Sequence, residues 1–376
     1  MNSATHAPGE LRPIALVRRG YSPTGGAEKF LVRFAAKSQE HGRKLTLITD
    51  CEWPASARGD LSQTVLAGRT AWAFANSVEK WRQSWGDGIV FSFERLFSAD
   101  CYRAGDGVYA AWMRRRSEYD PFLRVLVRKL ARKHFHLLRL ERRCFSPRHT
   151  ASVIVNSNLV AAEIVQMFGY PGTQIHLVRN GLPSNFADNA PTKNEARRQL
   201  GLPERAFVAA FAGTGWRRKG LRFAIAAVRA AEISGAKLVV AGRGRPPSDA
   251  GENTLFLGPL ADVRPLLAAA DVFVLPTVYD PFSNACLEAL AMGKPVITTT
   301  GNGCAEVLRE GVNGSVVGKP DDVAGLSRAL RYWANQGRSE SAAAACREVL
   351  SECSLDRNVS RTLEILDSLP RSAAGR

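Results

Sequence analysis

Two open α/β domains, each a parallel sheet flanked by helices, are what this 376-residue sequence predicts. Three observations carry the prediction. Short apolar runs alternate with helical stretches through the first half, the pattern of successive βαβ units. A polar stretch from Gly181 to about Glu204, holding Pro183, Pro191 and Pro203, breaks the alternation. Beyond it the same rhythm restarts. The chain is also too long for one ordinary core, so the expected domains are 1–182 and 183–376.

The elements follow in order. Ile14-Ala15-Leu16-Val17 reads as a buried strand, Tyr21-Ser22-Pro23-Thr24-Gly25-Gly26 as a glycine turn, and Ala27 to Gln39 as a helix. Lys44–Thr49, Gly88–Ser92 and Ser152–Val155 read as further strands. The second half supplies Ala206–Ala212, Lys237–Ala241, Thr254–Leu257, Val272–Leu275 and Pro295–Thr298, with helices between them. A last helix is expected from about Arg357 to Leu369.

Composition narrows the class. No apolar run approaches the ~20 residues that span a bilayer. The first ten residues have neither a basic nor an apolar signal region, so a cytoplasmic protein is expected. Seven scattered cysteines with no C-x-x-C pair argue for reduced thiols and against structural zinc. The net charge of +16 is uneven: residues 1–182 hold 27 Lys or Arg against 15 Asp or Glu. A basic half of that kind meets an anionic partner. Nucleic acid, an anionic membrane and a phosphorylated glycolipid all qualify on charge alone. From Pro121 to Arg143, Arg124, Arg128, Arg132, His136, Arg139 and Arg143 recur at helical spacing, as do Phe122, Leu126, Leu130 and Leu137. That is an amphipathic helix with one cationic face, which either packs on the core or lies on an anionic bilayer.

The most informative stretch is Tyr279-Asp280-Pro281-Phe282-Ser283-Asn284-Ala285-Cys286-Leu287-Glu288. Asp280 lies in a turn at the carboxyl end of a strand, and Glu288 lies on the helix that follows. Ligands bind at that end of open α/β sheets, where a helix start offers free N–H groups. A carboxylate there can accept both hydroxyls of a ribose. Gly213-Thr214-Gly215-Trp216-Arg217-Arg218-Lys219-Gly220 follows the first strand of the second domain. Three cations where a helix begins oppose its dipole, and a diphosphate would explain them. Gly25-Gly26 opens the first helix, where a backbone can approach a ligand closely, although the sequence is not a G-x-G-x-x-G dinucleotide turn. Asp106 lies between Gly105 and Gly107, equally a simple turn or a presented acid. No nucleophile–base arrangement and no metal-ligand spacing stands out.

The segment from Asp280 to Glu288 resembles the Glu-x7-Glu signature of retaining GT-B glycosyltransferases of family 4, with Asp in the first place. The resemblance implies two Rossmann-like βαβ domains facing across a cleft. It implies that Asp280 lies near the donor sugar and that Glu288 holds the nucleotide ribose, with Phe282, Ser283 and Asn284 between them in the donor site. Arg218 and Lys219 match the pair that such enzymes use on the diphosphate. Gly25 and Gly26 match a loop under the donor phosphates and sugar. The run around Asp106 is similar to that of lipopolysaccharide core enzymes acting on heptose, where the acid faces the donor sugar. Asn180-Gly181-Leu182, Phe256-Leu257-Gly258 and Gly301-Asn302-Gly303-Cys304-Ala305-Glu306 match further family turns, so the likeness covers roughly Ile14 to Val317.

What the resemblance implies is a metal-independent hexosyltransferase with no cofactor beyond a UDP- or GDP-sugar donor. Its acceptor would be a phosphorylated glycolipid, the inner core of lipopolysaccharide, met at the inner face of the inner membrane through the basic helix, with no role for nucleic acid. The alternatives are transfer to another envelope or capsular polysaccharide, or a non-catalytic nucleotide-sugar-binding or nucleic-acid-binding protein.

Overall fold

The computed structural model describes residues 11–22, 25–121, 124–125 and 131–370. By contacts the chain divides into two compact units. One comprises the described residues up to Arg179 together with those from Asp356 onward, and the other is Asn180–Leu355. The end of the chain, placed by the resemblance in the second domain with a last helix free to cross back, groups with the first unit. In its Leu355–Asp367 helix Asp367 pairs with Arg43 and Asp356 with Lys37, while the carbonyls of Leu366 and Leu369 accept from Arg12.

In the first unit the strands are β1 (Ile14–Val17), β2 (Leu45–Thr49), β3 (Ser62–Val65), β4 (Ile89–Ser92), β5 (Ala99–Arg103), β6 (Thr150–Val155) and β7 (Ile175–Leu177). They form one sheet in the order β3-β2-β1-β4-β5-β6-β7, parallel throughout. The second unit has β8 (Val208–Ala212), β9 (Lys237–Ala241), β10 (Thr254–Gly258), β11 (Val272–Leu275), β12 (Val296–Thr299) and β13 (Gly314–Val317). Their order is β10-β9-β8-β11-β12-β13, again all parallel. The central strands β1, β4, β8 and β11 are buried along their whole length, as strands covered by helices on both faces must be.

Four strands escaped the sequence reading, for a common reason. β3, β7 and β13 are sheet edges and β5 is polar at Asp100 and Arg103, so none is a continuous apolar run. The stretch read as a linker also contains a helix, Lys193–Gln199. Thr192 caps it, with Glu195 completing a capping box, and Arg197 is buried against Asp271 at 2.9 Å and the Ala269 carbonyl at 3.0 Å.

Strand order reverses between β1 and β4 in the first sheet and between β8 and β11 in the second. At such switch points the loops leaving adjacent strands diverge and open a crevice at their carboxyl ends. The loops after β8 and β11 carry the basic turn and the Asp280 turn. The loops after β1 and β4 carry Arg18 and Glu94.

Part of the expected Pro121–Arg143 helix, residues 122–123 and 126–130, lies outside the described residues. The described helix runs Arg132–Cys144. It exposes Lys133, Phe135, His136, Arg139, Arg142 and Arg143 and buries Leu140, Glu141 and Cys144. The cationic face is not wholly solvated: Arg139 lies over the Trp72 ring and Arg143 over the Phe97 ring, each 5.3 Å from the centroid. No described helix is long and apolar enough to cross a membrane.

Candidate functional site

In the second unit the loop leaving β8 ends in a single helical turn, Trp216–Lys219, closed by Gly220. The cations therefore occupy the end of a short helix, where carbonyls favour positive charge, and not the start of the long one as expected from sequence. Gly220 is required on two counts. Its φ is +78°, and a Cβ would lie 1.8 Å from the Pro276 carbonyl oxygen. That close approach stitches the two loops together. The Arg218 carbonyl accepts from Val278 N–H and from Thr277 Oγ1, both at 2.9 Å.

The stitched loops bring Lys219 and Asp280, 61 positions apart, into a buried ion pair. Arg218 Nη1 lies 3.5 Å from the same carboxylate oxygen and donates to the Tyr279 carbonyl at 3.0 Å. Burial alone would raise the Asp280 carboxyl. Lys219, then Arg218, and the Phe282 N–H overcome it and hold the group below its ordinary range. Arg218 keeps 34% of its side chain exposed, Lys219 11% and Asp280 8%. The outer guanidinium is thus the part of the cluster open to an incoming anion. Arg217 is exposed.

Next along the chain, Phe282 and Ser283 are buried, and Ser283 precedes the Asn284–Ala291 helix. Glu288, half-buried, stands in the second turn of that helix. Ser283 Oγ makes no hydrogen bond, so this helix start has no side-chain cap. Asn284 Oδ1 accepts from Asn180 Nδ2 at 2.7 Å, and Asn180 Nδ2 also donates to the Phe282 carbonyl at 3.2 Å. Asn302, in the loop after β12, clamps the same turn: its Oδ1 accepts from Ser283 N–H at 3.2 Å, and its Nδ2 donates to Thr298 Oγ1 at 2.9 Å. These two Asn side chains hold the site in shape. Their turns were noted in the sequence, but nothing local showed that both amides converge on residues 282–284. Trp216 was also missed; its ring lies 5.5 Å from that of Phe256, and its Nε1 donates to the Gly213 carbonyl at 3.0 Å.

In the first unit Gly25 precedes the Gly26–Glu40 helix. Its missing side chain makes room for a residue, not only for a ligand: a Cβ there would lie 1.8 Å from Glu28 Oε2. Glu28 pairs with Arg18 at 3.0 Å, and Arg18 also meets Glu94 at 2.8 Å and Asp106 at 3.6 Å. Burial pushes the Glu94 carboxyl up; Arg18 opposes that shift and Asp106 adds to it. Glu28, Glu94 and Asp106, far apart in the sequence, thus gather round one guanidinium. Asp106 keeps 57% of its side chain exposed.

Residues 206–336 match the model of the family described as Glycosyl transferases group 1. That match falls within the second unit, and the Lys219–Asp280 pair and the Asn284–Ala291 helix lie among the matched residues. Among curated relatives, the lipopolysaccharide core biosynthesis glycosyltransferase LpsE of Rhizobium meliloti is 31% identical over 198 residues, 50% of this chain and 57% of its own. The lipopolysaccharide glucosyltransferase WaaG of Escherichia coli is 22% identical over 338 residues, covering 85% of this chain and 88% of its own. The first three relatives are matched over only 41% to 57% of their length.

Solved structures extend the likeness in fold to both units. The crystal structure of WaaG superposes with a TM-score of 0.78 at 21% identity, covering 94% of this chain and 100% of that one. The Anabaena protein HepE, solved with UDP-glucose, gives 0.73 at 17% identity over 96% and 100%. Both units therefore have the Rossmann-like construction of the GT-B fold.

Proposed function

We propose that this chain is a retaining, metal-independent glycosyltransferase of family 4 that moves a hexose from a UDP- or GDP-sugar to the phosphorylated inner core of lipopolysaccharide. The observation that carries the reading is the convergence of Arg218, Lys219 and Asp280 at the β8/β11 switch point, beside the start of the helix bearing Glu288. Asp280 keeps both cations oriented. Arg218 offers its exposed edge to the diphosphate, and Glu288 receives the ribose hydroxyls. HepE with UDP-glucose supports a nucleotide-sugar donor, and the lipopolysaccharide roles in the names of WaaG and LpsE support the acceptor class.

In this reading the acceptor hydroxyl oxygen bonds to the anomeric carbon as the bond to the diphosphate breaks. The hydroxyl proton passes to the departing diphosphate on the same face, so configuration is retained. Positive charge fixed in advance beside the leaving group lowers the barrier, and Arg218 and Lys219 supply what a divalent cation otherwise would. The experiment is a thermal-shift panel of UDP- and GDP-sugars followed by turnover in EDTA. A specific donor at a hundredfold excess over its Kd stabilises by ~2.7 kcal/mol. No stabilisation by any nucleotide sugar overturns the reading, and activity abolished by EDTA overturns metal independence.

We also assign the basic helix to an anionic membrane surface, with the protein peripheral on the cytoplasmic face of the inner membrane. Phe135, 62% exposed, is an apolar side chain on a helix that also exposes Lys133, Arg139, Arg142 and Arg143, the mix found on helices that lie in a bilayer interface. Changing Arg124, Arg128 and Arg132 together to Gln should cost ~3 kcal/mol of binding to acidic liposomes, at ~1 kcal/mol per charge. Added salt should mimic it. Sedimentation with acidic liposomes equal to that of the parent would remove this surface from the account.

A further inference from the structure

We propose that Arg95 and Glu141 are positioning residues for Asp106, an inference that rests on the sugar transfer proposed above and on Asp106 taking part in it. Asp106 occupies a turn between two glycines, a setting in which a carboxylate would ordinarily wander. Here the peptide units on both sides are held. Asn156 Nδ2 donates to the Gly105 carbonyl at 3.2 Å. Arg95 Nη2 donates to the Gly107 carbonyl at 2.8 Å. Gly107 N–H closes the turn onto the Ala104 carbonyl at 3.0 Å.

Arg95 is in turn gripped by Glu141, with Nε 3.0 Å from Oε1. Glu141 is wholly buried and comes from the Arg132–Cys144 helix. Its carboxylate also accepts the N–H groups of Tyr109 at 2.6 Å and Ala110 at 2.9 Å, the first of the Tyr109–Ser117 helix. One carboxylate therefore fixes the end of the turn twice, through Arg95 to Gly107 and directly at Tyr109.

Stability alone does not call for this arrangement. A Ser, Thr, Asp or Asn at position 108 would cap the helix locally, yet Val108 stands there and a residue over 30 positions away does the capping. A buried ion pair can also often be replaced by apolar packing without loss of stability. What the pair contributes is a defined position for residues 105–109, and Arg18, 3.6 Å from Asp106, completes the hold on the side chain.

The test uses Arg95→Lys, which keeps the charge opposite Glu141 but loses the fork that reaches Gly107, and Glu141→Gln. UDP release from UDP-glucose is followed with a phosphorylated inner-core oligosaccharide as acceptor. Each variant should lose on the order of tenfold to a hundredfold in kcat, since small displacements near the reacting atoms carry that cost. The donor KM should stay within about twofold, and in an Asp106→Asn background Arg95→Lys should cost no more than about twofold further. An equal loss in that background, or a loss confined to donor KM, overturns the proposal. Hydrogen exchange at the amides of residues 106–110 is read in parallel and should quicken in Arg95→Lys, the milder variant should Glu141→Gln fail to fold. Unchanged exchange overturns the proposal whatever the turnover. A parent protein that turns over no nucleotide sugar counts against the proposed activity, and the exchange result then decides the positioning role.

Discussion

Lys219→Ala is expected to lower kcat by about 10²–10³-fold and to destabilise the second unit at the same time. Two different consequences share one cause. Charge that builds on a departing diphosphate loses a fixed cation, which acts on the rate. The buried Asp280 carboxylate loses its nearest counter-ion, which acts on the fold. Removing one member of a buried pair costs ~3–5 kcal/mol; Arg218 and the Phe282 N–H remain, so the lower end is expected. The two effects separate in Lys219→Ala/Asp280→Asn, which should regain most of the thermal midpoint and none of the rate. Recovery of turnover in the double variant would mean that Lys219 serves only as a partner to Asp280. The pH dependence follows from the depressed Asp280 pKa. The pair's contribution is present above the unfolded value of 3.8 and is lost as pH falls through the lower folded value. Lys219→Ala should therefore flatten the acid limb of the stability curve, measured as thermal midpoint between about pH 2 and 7.

Glu288→Ala should abolish measurable donor binding while leaving the thermal midpoint nearly unchanged. The side chain is half-buried in the second turn of the Asn284–Ala291 helix, so its loss opens no core cavity. A carboxylate that accepts two ribose hydroxyls makes two charge-assisted bonds of ~1.5–3 kcal/mol each, so two or more decades of affinity are at stake. Calorimetry with UDP and GDP reads this directly. Affinity equal to that of the parent would remove Glu288 from the donor site.

How much of this was legible from sequence can be judged residue by residue. The central strands were legible because full burial in a parallel sheet demands continuous apolar runs, as in Val272-Phe273-Val274-Leu275. The edge strands β3 and β7 were not, since an edge needs less burial and leaves a weaker pattern; edge strand β10 was legible through Leu255-Phe256-Leu257, whereas β13 opens on Gly314-Ser315 and offers only two apolar residues. The Lys193–Gln199 helix was lost among prolines, although Thr192 and Glu195 three residues later were a readable capping signal. The basic turn was legible as a cluster of charge, but its single helical turn depends on Gly220 meeting the Pro276 carbonyl, a contact no local pattern shows.

By itself the sequence determined the alternation of elements, the division into two sheets and the loops in which chemistry-bearing residues stand. Periodicity, glycine turns and caps are relations between neighbours in the chain, so they can be read there. Only the tertiary structure decided that Lys219 meets Asp280, that Arg18 gathers Glu28, Glu94 and Asp106, and that Glu141 reaches Arg95 and the start of another helix. The Lys219 and Arg18 pairings follow from strand order, and the Glu141 contacts from the seating of its helix against the start of the Tyr109–Ser117 helix. Because β8 lies beside β11 and β1 beside β4, loops remote in sequence leave adjacent strand ends, and the side chains they carry come within bonding distance.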